Sequence, residues 1–174
     1  MNSKTTIWSN NTVIPPSIFE CVVSKVYRSN VFSTESFQFI SSLNLKSIVY
    51  LAEEKLNEDV ISFCDYHRIK IFTLDCRSVH KDDWKPISED NVKKAIEYIL
   101  NPENVPVLVM CKDGVKYSGI VIACLRKCFH WCFTSIIQEY RREAHDAPTN
   151  PNAELFIELF SPDLVSLLSS YLHT

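Results

Sequence analysis

Glycine is almost absent from this chain. Two residues of 174, Gly114 and Gly119, are all there is. Glycine is needed where the backbone takes positive φ or approaches another group closely, so a chain that confines both to one short stretch marks a single special turn. Long apolar runs are missing too. None approaches the roughly 18 residues of a membrane span, and the opening MNSKTTIWSNN has no apolar core of a secretory leader. A cytoplasmic protein with no membrane partner is therefore expected. Neither sign of charge dominates, with 18 Lys and Arg against 21 Asp and Glu, which gives no support for a nucleic-acid partner. The cysteines number seven, an odd count that argues against a disulfide framework. Cys64-x-x-His67 has no second pair at zinc-ligand spacing, so no metal and no cofactor is expected. There is no internal repeat and no low-complexity tract.

What is present points to one domain. Residues 1–14 read as a loose polar tail that Trp8 can pin to the body. Residues 15–174 read as the domain, ending in an apolar helix over 162–172. Apolar runs at Ser47–Leu51, Ile69–Leu74 and Val107–Met110 read as strands. Helical stretches alternate with them: a short one after Ser33, one from Glu53 to His67, one opened by Ser88, one from Ser118 to about Phe129, and one over Trp131–Ala144. Phe19–Val23 and Val26–Arg28 read as a strand pair. Alternation of this kind predicts an α/β domain with a mostly parallel sheet and helices on both faces. Cys124, Cys128 and Cys132 stand at helical spacing and read as a buried apolar stripe.

The stretch Val105–Arg126, VPVLVMCKDGVKYSGIVIACLR, organises the rest. A strand ends at Cys111, both glycines lie in the following turn, and an apolar helix begins. Backbone N–H groups turned inward, next to a helix N-terminus, form an anion cradle. A thiol at its mouth would be shifted toward thiolate. The same spacing also fits a plain strand–turn–helix joint with a buried cysteine.

Met110–Gly119, MCKDGVKYSG, resembles the signature of the cysteine-dependent tyrosine and dual-specificity phosphatases: His-Cys, five residues, Arg, Ser or Thr, Gly. VYRS at Val26–Ser29, LKSIVYL at Leu45–Leu51, NPENVPVLVMC at Asn101–Cys111, EYRREA at Glu139–Ala144 and ELFIELF at Glu154–Phe160 extend the likeness. The chain is similar to the atypical dual-specificity phosphatases of plants and fungi, a group that includes the yeast oxidant-induced cell-cycle arrest proteins. The resemblance implies a cysteine-phosphatase fold with four or five strands and the Cys loop at the carboxyl end of a central strand. It implies activity on phosphotyrosine or an inositol pyrophosphate, with Cys111 as nucleophile. The phosphate-type loop would comprise Lys112, Asp113, Gly114, Val115, Lys116, Tyr117, Ser118 and Gly119.

Two positions depart from the signature. Met110 stands for the His and Tyr117 for the Arg. The Arg would grip two phosphate oxygens with a planar charged fork, whereas Tyr117 offers one neutral donor. Each hydrogen bond to a charged group is worth about 1.5–3 kcal/mol, so the loss is about 3–6 kcal/mol, or roughly 10²–10⁴ in rate. Lys112 and Lys116 supply charge without the fork, and Asp113 adds a negative charge where an anion would sit. Ser118 matches the hydroxyl that assists departure of the sulfur, and also suits a residue satisfying backbone donors at a helix start. The loop Asp75–Pro86 has the position of the general-acid loop, with Asp82 or Asp83 as candidates, beside Asp75 and His80. It reads more readily as a solvated acidic loop. Arg141-Arg142 reads as a helix-end cation pair or as a contact for an anionic group.

Three functions compete. The first is a catalytically impaired phosphatase-like protein acting by binding, in a hetero-oligomer with related phosphatase-like subunits or on a phosphorylated ligand. The second is a weak cysteine phosphatase working through a Cys111 phospho-intermediate. The third is redox sensing through Cys111, which needs a low-pKa, exposed thiol.

Overall fold

The computed structural model describes residues 13–77, 84–144 and 150–165. The tail through Thr12, the candidates His80, Asp82 and Asp83, and all of the proposed last helix beyond Val165 lie outside these. Within them, Pro162–Leu164 is a single 3-10 turn.

The chain forms a five-stranded sheet in the order β1-β2-β5-β3-β4. The strands are β1 (Phe19–Val23), β2 (Val26–Asn30), β3 (Ser47–Ala52), β4 (Lys70–Asp75) and β5 (Val107–Cys111). β1 and β2 form the antiparallel pair at one edge, and β2, β5, β3 and β4 run parallel. β5 is central, and its residues, like those of β3, are all buried. Both read as continuous apolar runs because a parallel strand is covered on both faces.

Side chains alternate between two cores. Val107, Val109 and Cys111 join the cluster under α3 (Glu89–Leu100), α4 (Lys116–Cys128), α5 (Phe133–Glu143) and α6 (Pro151–Leu159). Leu108 and Met110 face the opposite cluster, formed with α1 (Phe37–Ser42) and α2 (Glu58–Tyr66). No helix among the described residues is long and apolar enough to cross a membrane.

Several boundaries differ from expectation, each for a local reason. The helix expected from Glu53 begins at Glu58, because the Asn57 side chain accepts the Asp59 N–H at 3.1 Å and caps it there. α4 starts at Lys116, two residues before Ser118. α4 ends at Cys128, and His130 takes φ 58 in the turn that follows. Cys132 is therefore not part of a stripe. It is exposed at the head of α5, while Cys124 and Cys128 are buried. Trp131 lies outside α5 and stacks its ring 4.2 Å from the Arg126 guanidinium carbon. Ser88 caps α3 as expected, accepting the Asn91 N–H at 3.2 Å.

Candidate functional site: the cysteine loop

The loop hangs from the carboxyl end of β5. Val31 N–H donates to the Cys111 carbonyl at 3.0 Å, tying the loop's first residue to the end of β2. Gly114 takes φ +73, and a Cβ there would lie 2.5 Å from the Asn30 nitrogen. Backbone has taken that space, so only glycine fits. Gly119 sits one turn into α4, where a Cβ would meet the Tyr140 ring at 3.2 Å. One glycine makes the turn, and the other lets α5 approach α4.

The Cys111 side chain is wholly buried. Its sulfur lies 3.2 Å from Ser118 Oγ and 3.2 Å from Asp113 Oδ1, to which the S–H donates. Burial pushes this thiol up. The hydroxyl and N–H of Ser118 pull back, and the Asp113 charge adds to the push. The net displacement is upward, away from thiolate.

Asp113 Oδ1 also accepts the N–H of Val115 at 2.9 Å and of Lys116 at 3.0 Å. Burial works to raise this carboxyl, but the two N–H groups and the Cys111 thiol prevail and hold it below the usual range.

Tyr117, at the signature Arg position, is buried, and its hydroxyl donates to Glu53 Oε1 at 2.6 Å. Burial, then the Glu53 carboxylate, pushes the phenol up to about 12. Lys116 Nζ donates to the same oxygen at 2.8 Å and lies 4.5 Å from the Tyr117 ring centre. Lys112 Nζ donates to Glu54 Oε1 at 2.7 Å. Both loop lysines thus face carboxylates from the segment after β3.

Met110 is buried among Ile48, Tyr50 and Phe63, on the opposite face of the sheet from the Cys111 side chain. Arg141 pairs with Glu154 of α6 at 2.6 Å and Arg142 with its own neighbour Glu143 on α5 at 2.9 Å, so both cations are taken up by carboxylates away from the loop. Asp75 pairs with Arg77, which holds its carboxyl down at about 2. Among the described residues, no three His, Cys, Asp or Glu side chains are grouped as a metal would need.

Sequence reasoning missed Glu53, Glu54 and Asn30. The first two follow directly on β3, at the carboxyl edge of the sheet where α/β ligand sites form, and that position was the available signal. Asn30 ends the VYRS strand, and its Oδ1 accepts the Ile18 N–H at 2.9 Å. A cavity of about 450 Å³ is lined by residues of β3, β4, α2 and the segment after β3, with Tyr50, Glu53, Glu54, Leu56, Ile61 and Ile71 among them.

A strand-held cysteine, a positive-φ glycine and a serine facing the sulfur from the next helix form the part of the signature's arrangement that this chain keeps. The profile described as "Tyrosine phosphatase family" matches residues 13–170. The chain belongs to this family. It is 40% identical over 153 residues to a probable tyrosine-protein phosphatase, DG1060, of Dictyostelium discoideum, covering 88% of this chain and 91% of that one. It is 36% identical to a putative tyrosine-protein phosphatase, OCA1, of Debaryomyces hansenii, covering 89% of this chain and 81% of that one. The fold matches the core catalytic domain of the inositol pyrophosphate (PP-IP) phosphatase Siw14 from Saccharomyces cerevisiae with a TM-score of 0.83 at 33% identity, over 93% of this chain and 96% of that one. The atypical dual-specificity group of fungi and plants is the one these relatives represent.

Proposed function

We propose that this chain is a catalytically impaired member of the tyrosine phosphatase family that acts by binding, as a regulatory partner of related phosphatase-like subunits. One observation carries the reading. The residue at the signature Arg position spends its hydroxyl on the Glu53 carboxylate at 2.6 Å. A carboxylate beside the transferring phosphoryl group repels it, and no guanidinium fork is present to follow the charge into the transition state. The buried, protonated Cys111 thiol works in the same direction, because the thiolate is the nucleophile. An upward-shifted, buried thiol also argues against redox sensing.

A second reading has an observation in its favour. Cys111 Sγ and Ser118 Oγ stand 3.2 Å apart, as attack and later departure of a sulfur need. Relatives include proteins named inositol diphosphatase. On this reading the chain is a weak phosphatase acting through a Cys111 phospho-intermediate on phosphotyrosine or an inositol pyrophosphate.

The discriminating test compares wild type, Tyr117→Arg and Cys111→Ser on an aryl phosphate and an inositol pyrophosphate. Impairment predicts wild-type release no faster than Cys111→Ser, with Tyr117→Arg recovering about 10²–10⁴ over wild type. Wild-type turnover that Cys111→Ser abolishes would establish the weak enzyme instead. Met110→His is best added second, since Met110 lies in an apolar cluster that would bury the imidazole. The partner half of the proposal is tested by purification from the native cell, where no related phosphatase-like protein accompanying the chain counts against it.

A further inference from the structure

We infer that Asp113 is an autoinhibitory contact: its carboxylate occupies the oxyanion position of the loop, and an external oxyanion binds only when Asp113 leaves. One oxygen, Oδ1, collects three donors: the N–H of Val115 at 2.9 Å, the N–H of Lys116 at 3.0 Å and the Cys111 thiol at 3.2 Å. A cradle built from inward N–H groups at a helix start presents such donors to an anionic oxygen. Here the chain supplies the oxygen itself. The tether gives it an effective concentration of the order of millimolar or more without loss of translational freedom, so it outcompetes a dilute free anion.

The cations around the loop are occupied in parallel. Lys116 pairs with Glu53 at 2.8 Å and Lys112 with Glu54 at 2.7 Å. A tetrahedral oxyanion approaching the folded loop therefore meets two N–H groups already given to Asp113 and two lysines already paired. The contact can also open. Asp113 is exposed at the loop's mouth, so rotating its side chain outward breaks three hydrogen bonds and leaves the fold in place. Gly114 donates its N–H to the Cys111 carbonyl at 3.3 Å, a bond that does not involve that carboxylate. The ligand class is a tetrahedral oxyanion, as in a phosphorylated side chain or a polyphosphorylated small molecule.

This inference concerns occupancy of the loop and stands apart from the loss of chemistry. Recovery of turnover in Tyr117→Arg tests that loss, and oxyanion binding by Asp113 variants tests this contact, so each can fail alone. The experiment titrates sodium tungstate against the full chain by calorimetry and thermal shift, using wild type, Asp113→Ala, Asp113→Asn and Glu54→Gln. Asp113→Ala vacates the N–H groups and should bind tungstate at least about tenfold more tightly than wild type. Asp113→Asn removes the charge but keeps an acceptor oxygen for the same N–H groups, and it should gain less. Glu54→Gln removes a nearby charge without touching them and should gain least. Equal gains in all three variants would mean simple charge relief and would overturn the contact. So would wild type binding tungstate as tightly as Asp113→Ala, or a folded Asp113→Ala with no gain. If Asp113→Ala does not fold, Asp113→Asn decides: a gain no larger than that of Glu54→Gln overturns the proposal.

Discussion

Cys111 sits where the family's nucleophile belongs, and its surroundings oppose the form a nucleophile takes. Burial, and a carboxylate 3.2 Å from the sulfur, both favour the neutral thiol. The thiolate should therefore appear only above the ordinary thiol range of about 8.5. Alkylation of Cys111 by iodoacetamide, followed by mass spectrometry across a pH series, should rise with a midpoint above that range. Asp113→Asn should move the midpoint downward, because the carboxylate charge is one cause of the upward push. A wild-type midpoint below neutrality would mean that the loop stabilises the thiolate after all, and the impaired reading would lose its chemical basis. At this scale the sequence was informative about identity and silent about pairing. MCKDGVKYSG revealed which signature residues are kept and which are replaced. It did not reveal that Tyr117 would turn to Glu53, a partner 64 positions away. A single sequence contains no term for such a contact.

Elements were legible where local physics sets them. β3 and β5 announce themselves as apolar runs, and α3 by its Ser88 cap. The start of α2 was misread because Glu53-Glu54 looks like an acidic first turn, whereas the Asn57 cap sets the start and the glutamates face Lys116 and Lys112. Arg28 on β2 is a tie that joins elements far apart in the chain. It is 2% exposed and lies in the second strand of the sheet, inside the edge, and it ties that strand to α5. Nη2 donates to Glu143 Oε2 at 3.1 Å and lies 3.0 Å from Glu20 Oε2. Neither Glu20 Oε2 nor Arg28 Nε has a hydrogen-bond partner of good geometry. Burial pushes the Glu20 carboxyl up against the pull of Arg28. Removing the cation leaves the partly buried Glu20 carboxylate without its ion-pair partner, while Glu143 keeps Arg142, and an unpaired buried carboxylate is the expensive half of a buried pair. Arg28→Ala should cost about 3–5 kcal/mol by urea denaturation. Adding Glu20→Gln to it should recover part of that loss, since it relieves one uncompensated charge. A cost below about 1 kcal/mol, the range of an exposed pair, would mean that the network is not a structural tie.

The order β1-β2-β5-β3-β4 puts the carboxyl ends of β3 and β5, one followed by Glu53-Glu54 and the other by the signature loop, side by side. It follows from long-range pairing that no local pattern encodes; the parallel class was legible from alternation, whereas the adjacency was not. That adjacency creates the clasp between Glu53 and Glu54 on one side and Lys116, Tyr117 and Lys112 on the other, joining the two halves of the sheet above their carboxyl ends. The clasp makes stability depend on pH with a definite sign. Hydrogen bonds from Lys116, then from Tyr117, hold the Glu53 carboxyl below its ordinary value of 4.5. A carboxyl depressed on folding stabilises the folded state above its unfolded pKa, and that contribution is lost as pH falls through the lower folded value. Glu20 has the opposite sign. Raised on folding, it favours the folded state most below 4.5 and less as pH rises through its folded value. Urea midpoints measured from neutrality down through the carboxylate range should therefore fall for wild type below about 4.5. They should fall less steeply for Glu53→Gln, which keeps an acceptor for Tyr117 but no longer titrates. In the same variant the Tyr117 phenol, pushed up to about 12 in wild type, should ionise at lower pH by ultraviolet titration, because the carboxylate that opposes phenolate is gone. An unchanged acid limb together with an unchanged phenol would show that the clasp does not persist in solution, and Tyr117 would then be free to turn its hydroxyl toward a ligand.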